Sequence, residues 1–268
     1  MGKVSNEAKK KYFDKLKIYK SSIEQAAARE KGFLQQAAKG GDEAAYLQVS
    51  AAEENLNLVS YCVLLNSLSL SLMGVKNEAY LNDARKACYK ALISLEDVVS
   101  NLVDSAFNEY EEKLNRISGM TDEARYKLLC KLGFSIQTVI EGFGENSKWK
   151  WSFVELDGRF ATVAKNILDL KSFIGRMDPR IEGYKARMAH LKLVKDLLQR
   201  AADGYRQKYE LSTHRIDDFK IALAYLSALR RIHILMSEVE EADKLKKNLE
   251  VWKTKMDSDL KKAEAVKK

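Results

Sequence analysis

Three histidines, three cysteines and 38 acidic residues are the raw material for metal binding or acid–base catalysis in this chain. Their spacing favours neither. Di-iron sites in long helical bundles use Glu-x-x-His pairs. Here the residues three before His190, His214 and His233 are Arg187, Leu211 and Arg230. No HExxH run occurs, and three scattered histidines are a poor basis for a zinc site. His233 lies beside an apolar seam and reads as a core-edge residue rather than a general base. Cys62, Cys88 and Cys130 are far apart, lack CxxC spacing and have apolar or aromatic neighbours. They read as small core residues in a reducing compartment. Gly133-Phe134-Ser135 and Gly142-Phe143-Gly144 are the nearest approaches to a nucleophile elbow or a phosphate-binding turn, and both are incomplete. The expectation is a protein that is not an enzyme and needs neither metal nor cofactor.

One stretch has binding chemistry instead. Gly142 to Phe160, GFGENSKWKWSFVELDGRF, holds two of the three tryptophans and three phenylalanines among mixed charges. Tryptophan beside lysine or arginine is the composition of interface hot spots. Trp149, Trp151 and Phe153, with Lys148, Lys150 and Arg159, are therefore the candidate protein-binding residues. The same aromatics would also serve as a plug for the end of a bundle. Interleaved bases and aromatics suit base stacking or a membrane interface, with less specificity.

A second candidate lies at the N-terminus. Lys3, Lys9, Lys10, Lys11, Lys15, Lys17 and Lys20 face only Glu7 and Asp14, a net charge of +5 in twenty residues. Tyr12, Phe13, Leu16 and Tyr19 make the segment amphipathic. Lys9, Lys10, Lys11, Lys15 and Lys17 are the candidate contacts for an anionic surface, either lipid or nucleic-acid phosphate. The competing reading is the first turns of a core helix, because the apolar positions continue into Ile23 and Phe33. The start MGKVSNEAKKKYF has no apolar run of a signal peptide, and Asn6 breaks a myristoylation signal; both favour the cytoplasm. The net charge of +8 is otherwise dispersed among acids, as on solvated helix faces.

These candidates must be held by helices. One proline and 13 glycines in 268 residues leave few punctuation points. Helical segments are expected from Ser5 to Gly40–Gly41, to Gly74, from Asn77 to about Gly119, from Thr121 to Gly142 or Gly144, and from about Phe153 to Arg176. Asp178–Pro179 reads as a cap and first position of a sixth, reaching about Leu211, and a seventh runs from about Thr213 almost to the end. In the sixth, nine apolar positions from Ile181 to Tyr209 recur about every 3.5 residues. In the seventh, thirteen from Phe219 to Leu260 recur about every 3.4, the condition for left-handed bundle packing. As one rod the seventh would be about 70 Å long, which predicts an elongated molecule. Asn55 to Val75 is a run of 21 residues without a charge. Its three asparagines and four serines favour the most buried helix of a bundle over a membrane span.

The sequence thus predicts an all-α, elongated, antiparallel bundle of about six or seven long helices with coiled-coil-like seams. It reads as a single domain over 1–268, with a subdivision point near 142–152. Its expected role is a cytoplasmic scaffold or assembly subunit with protein partners or self-association. Membrane-surface binding and nucleic-acid binding are the alternatives.

Overall fold

The structure is a computed structural model, and it describes residues 4–105, 107–144 and 148–266. The described chain is an all-α helical bundle without strands. Its helices are α1 (Asn6–Ala37), α2 (Ala44–Met73), α3 (Glu78–Val98), α4 (Phe107–Asn115), α5 (Asp122–Phe143), α6 (Lys150–Asn166), α7 (Leu170–Gly175), α8 (Tyr184–Lys208), α9 (Ile216–Leu235) and α10 (Val239–Val266). A π-helical turn, Tyr209–Thr213, joins α8 to α9.

Local chemistry sets several starts. The side chains of Ser5, Asn77 and Thr121 accept the N–H groups of Ala8, Tyr80 and Ala124 at 3.1, 3.3 and 3.2 Å. Each satisfies one of the N–H groups that a helix start leaves unpaired. Gly74 ends α2 at φ +65°, a left-handed conformation that glycine adopts without a Cβ clash.

Four breaks contain neither glycine nor proline, and one of them, at 167–169, splits the segment expected from Phe153 to Arg176 into α6 and α7. The segment expected from Asn77 to Gly119 is interrupted after Val98, and α4 begins only at Phe107. The expected seventh helix is two helices, because Ser237 takes φ +59° between α9 and α10. There the N–H of Glu238 bonds the carbonyl of His233 at 2.9 Å. α10 folds back along α9, bringing Trp252 within 6.1 Å of Phe219, so the rod of about 70 Å does not form. The apolar phase survives on either side of the break: Phe219, Leu223, Leu226, Leu229 and Ile232 are buried on α9, and Ala242, Leu245, Leu249 and Trp252 on α10, whereas Val239 is exposed at the turn and Met236, Met256 and Leu260 are half-buried. Between α8 and α9, the π-turn ends at His214, with φ +49°. Pro179 is not a helix start. It occupies the second position of a turn closed by the Ile181 N–H on the Asp178 carbonyl, five residues before α8, where its fixed φ suits the turn.

The chain forms two compact units. The first comprises Met1–Ser100 and Glu112–Lys150, and the second comprises Asn101–Glu111 and Trp151–Lys268. In the first, α1 runs antiparallel along α2, pairing Tyr19 with Tyr61 and Arg29 with Glu54. α3 returns antiparallel to α2, and α5 closes on both. Gly142 permits the close approach of α5 to α3, since a Cβ there would stand 2.6 Å from the Leu81 side chain. α2 is central but not the most buried helix, for only 39% of its most apolar window is covered. Length and composition alone would let it cross a membrane. Yet Asn66 accepts the Asn77 N–H, and buried Asn55 donates to Glu30 and to the Ala51 carbonyl. Cys62 and Cys88 are buried as expected, whereas Cys130 is exposed on α5. It falls on the outward face of a helix whose inward face is already filled by Leu128, Leu129 and Leu132.

In the second unit, α8, α9 and α10 form consecutive antiparallel hairpins. Tyr205 stacks on Tyr225 at 5.8 Å, and Lys195 meets Glu238 at the far end. α6 lies against α8 and α9, and every residue from Phe160 to Leu168 is buried. Each large apolar side chain so covered contributes about 1.5–3 kcal/mol.

Candidate functional site

In the first unit, the Gly142–Phe160 stretch contributes Lys148, Trp149 and Lys150; Glu145–Ser147 lie outside the described residues. Trp149 is half-buried. The Arg85 guanidinium lies 4.0 Å from the ring centre, and Phe143 meets the ring edge-on at 6.4 Å. This cation–π contact and ring packing hold the indole against the ends of α3 and α5. Lys148 and Lys150 are exposed, and Lys148 is 3.6 Å from Glu78. The second unit takes Trp151, half-buried, Phe153, buried, and Arg159, which pairs with Glu155 one turn earlier at 3.4 Å. The six residues are thus shared between two units, and their aromatic rings are largely or partly covered within them.

Lys9, Lys10, Lys11, Lys15 and Lys17 are all exposed on α1, and among the described residues none has an acidic partner within 4 Å. The helix splits them. At about 100° per residue, Lys9, Lys10 and Lys17 share a side with Phe13, while Lys11 and Lys15 stand on the other flank with Ile18. Tyr12 points inward and is buried.

The second unit contains a polar interior that no sequence signal marked. Lys165 is buried, and its Nζ donates to the Ser105 carbonyl at 3.3 Å and to Asn166 Oδ1 at 2.9 Å. Asn166 donates to the Leu102 carbonyl at 3.2 Å. These bonds tie the stretch before α4 onto α6, and Arg231 reinforces it by bonding Asp104. Buried His190 bonds the Ala164 carbonyl through Nε2 at 2.8 Å, and buried Arg187 donates to the carbonyls of Glu182 and Arg176. Buried charge is tolerated where hydrogen bonds replace water, and here backbone carbonyls supply them. The Ser105 and Leu102 carbonyls lie 60 and 64 residues from Lys165 and Asn166, so periodicity carries no trace of them.

The α9–α10 turn forms a further cluster. Glu238 accepts both contacts from Lys195 at 2.6 Å and faces His233 Nδ1. Burial pushes the Glu238 carboxyl up, but its bonds to Lys195 and His233 outweigh burial and hold it below the ordinary glutamate range. Asp157 behaves oppositely: burial raises it, and Arg200 at 2.8 Å only partly offsets the shift. Around the Glu238 brace, Ile234, Leu235 and Val239 are exposed, Val239 by 66%. Among the described residues, no group of three or more His, Cys, Asp or Glu is placed to hold a metal ion.

No curated protein and no solved structure matches the chain. A family model does match, over residues 8–260, nearly the whole length described above, and the chain belongs to the TP0443 family.

Proposed function

We propose that the protein is a non-enzymatic helical scaffold of the cytoplasm that holds protein partners, or further copies of itself, on exposed helix faces. The observation that carries this reading is the apolar knuckle at the α9–α10 turn. Ile234, Leu235 and Val239 face solvent on a turn braced by Lys195, Glu238 and His233. Exposed apolar side chains on a fixed support resemble the anchors of protein interfaces. In the same unit the buried side chains of Lys165, Asn166, Arg187 and His190 bond backbone carbonyls, an arrangement suited to support rather than to turnover. Two buried thiols, Cys62 and Cys88, pushed up to about 12 by burial, fit a reducing compartment. Among its described residues the Gly142–Phe160 stretch contributes mainly Lys148 and Lys150 to the surface, and its role in this reading is secondary.

In-cell photocrosslinking tests the proposal. A photoreactive residue at Ile234, Leu235 or Val239 is expected to give discrete protein adducts, and the same residue at exposed Lys220 is not. Equal yields at all four positions, or only uncrosslinked chain, would overturn it.

A further inference from the structure

The first unit carries a second surface whose chemistry differs from that of the α9–α10 knuckle. The N–H of Asn77 bonds Asn66 Oδ1 at 2.9 Å, so α3 begins beside Asn66. The turns of α2 from Ser67 to Met73 continue past that point, together with the facing turns of α1. Leu70 stands one turn beyond Asn66 on the same side of α2 and is 55% exposed.

The matching side of α1 is fixed by Lys20, which lines a groove of about 480 Å³ with Tyr80 and Asp83 of α3. Phe13 precedes Lys20 by seven residues and lies within about 20° of it around the helix; Lys9 and Lys17 flank Phe13 at about 40° on either side. Phe13 is 58% exposed. Lys10 adjoins this side, while the acids of these turns, Glu7 and Asp14, stand about 100° or more away from Phe13. Lower in the groove are Glu24 and Asp83, the latter paired with Lys86. This side of the projecting end therefore shows Phe13 and Leu70 among Lys9, Lys10, Lys17 and Lys20, none of the four lysines with an acidic partner within 4 Å among the described residues, and Val75 is exposed just beyond α2.

We propose that this projecting α1–α2 end docks on an anionic lipid bilayer. Phe13 and Leu70 enter the boundary between headgroups and acyl chains, and the four lysines meet lipid phosphate and carboxylate groups. Apolar burial and attraction to anionic lipid add in such an interfacial contact. A second copy of the chain is a poor occupant, since the same face would set lysine against lysine. Nucleic acid offers phosphate, but aliphatic Leu70 gives its bases nothing to stack on. The proposal uses the first unit alone and stands independently of the knuckle in the second.

The test is co-flotation of the full chain with phosphatidylcholine vesicles, with and without phosphatidylserine, at low and high salt. Binding is expected only with phosphatidylserine and is expected to weaken with salt. Each of Lys9→Gln and Lys17→Gln should weaken it about fivefold at low salt. The pair Phe13→Ser and Leu70→Ser should cost tenfold or more. Lys11→Gln with Lys15→Gln removes the same charge from the other flank and should cost less than Lys9→Gln with Lys17→Gln. All these side chains are exposed, and far-UV circular dichroism checks that the variants fold. Equal binding to neutral vesicles, indifference to salt, or equal losses from the two lysine pairs would each overturn the proposal. So would tighter binding to duplex nucleic acid or to polyglutamate that ignores Phe13→Ser and Leu70→Ser.

Discussion

α2 and the second half of α6 invert the order that hydropathy would assign. α2 has no charge from Asn55 to Val75, yet much of that helix faces outward. Phe160–Leu168 contains Lys165 and Asn166, yet all of it is buried. The difference lies in what surrounds each helix. α6 is enclosed by α8, α9 and the stretch before α4; the carbonyls of that stretch accept the bonds of Lys165 and Asn166, and His190 of α8 bonds the Ala164 carbonyl of α6. α2 extends past the start of α3, which lies beside Asn66, and among the described residues its last turns have no helix on that side. Apolar composition sets how much burial a helix can use; available neighbours set how much it receives.

The strongest way to break this comparison is to remove the polar support of α6. Lys165→Met should destabilise the second unit by about 2–3 kcal/mol, because the Ser105 carbonyl and Asn166 Oδ1 lose a charged donor inside the core. Urea unfolding checks it, and a change below about 0.5 kcal/mol would mean that the buried lysine is incidental.

Glycine contrasts the units at the next scale. A Cβ at Gly158 would stand 2.7 Å from the Tyr225 hydroxyl and 2.8 Å from the Tyr205 ring, so Gly158→Ala should cost about 1–3 kcal/mol. Gly32 in α1 has nothing within 4 Å of that position, and Gly32→Ala should stabilise by about 0.5–1 kcal/mol. Thermal melts of both variants give the signs directly.

Acid titration separates two carboxylates within the second unit. Glu238 is held below the ordinary glutamate range, so its stabilisation is fully present above that range and is lost as pH falls through its folded value. The stability gap between the native chain and Glu238→Gln should therefore shrink on acidification. Asp157 is raised, so its favourable contribution belongs to low pH and is lost as pH rises through the folded value. Asp157→Asn should be the more stable chain at neutral pH, with that advantage fading in acid. Stability measured by urea unfolding across pH decides both.

The smallest effect belongs to α2. Leu64 lies on its outward face, and Leu64→Ser should change stability by no more than about 0.5 kcal/mol. A larger loss would show that this face is covered in the folded protein, and would remove the contrast with α6.

Much of the helical framework was legible because its signals are local. Ser5, Asn77 and Thr121 cap the starts the sequence assigned to them, and Gly74 ends α2. The seam is buried in the predicted phase from Phe219 to Ile232 and from Ala242 to Trp252, since a hairpin between α9 and α10 preserves each helix's own face; at the turn itself Met236 is half-buried and Val239 is exposed. The break itself was illegible: Met236-Ser237-Glu238 offers neither glycine nor proline, and Ser237 takes a left-handed conformation within a turn braced by Lys195 from α8. Pro179 misled for the complementary reason, since its fixed φ serves a turn as well as a helix start.

The candidate sites divide along the same line. Sequence alone determined that the N-terminal segment is a lysine-rich amphipathic helix, because periodicity and charge are properties of the chain. Tertiary structure decided which lysines share a side with Phe13, and that the end of α1–α2 projects beyond α3. It also decided that Trp149 lies under Arg85 and that Lys165 is buried. Those outcomes depend on groups distant in the chain, and a side chain's exposure is fixed only when its neighbours arrive.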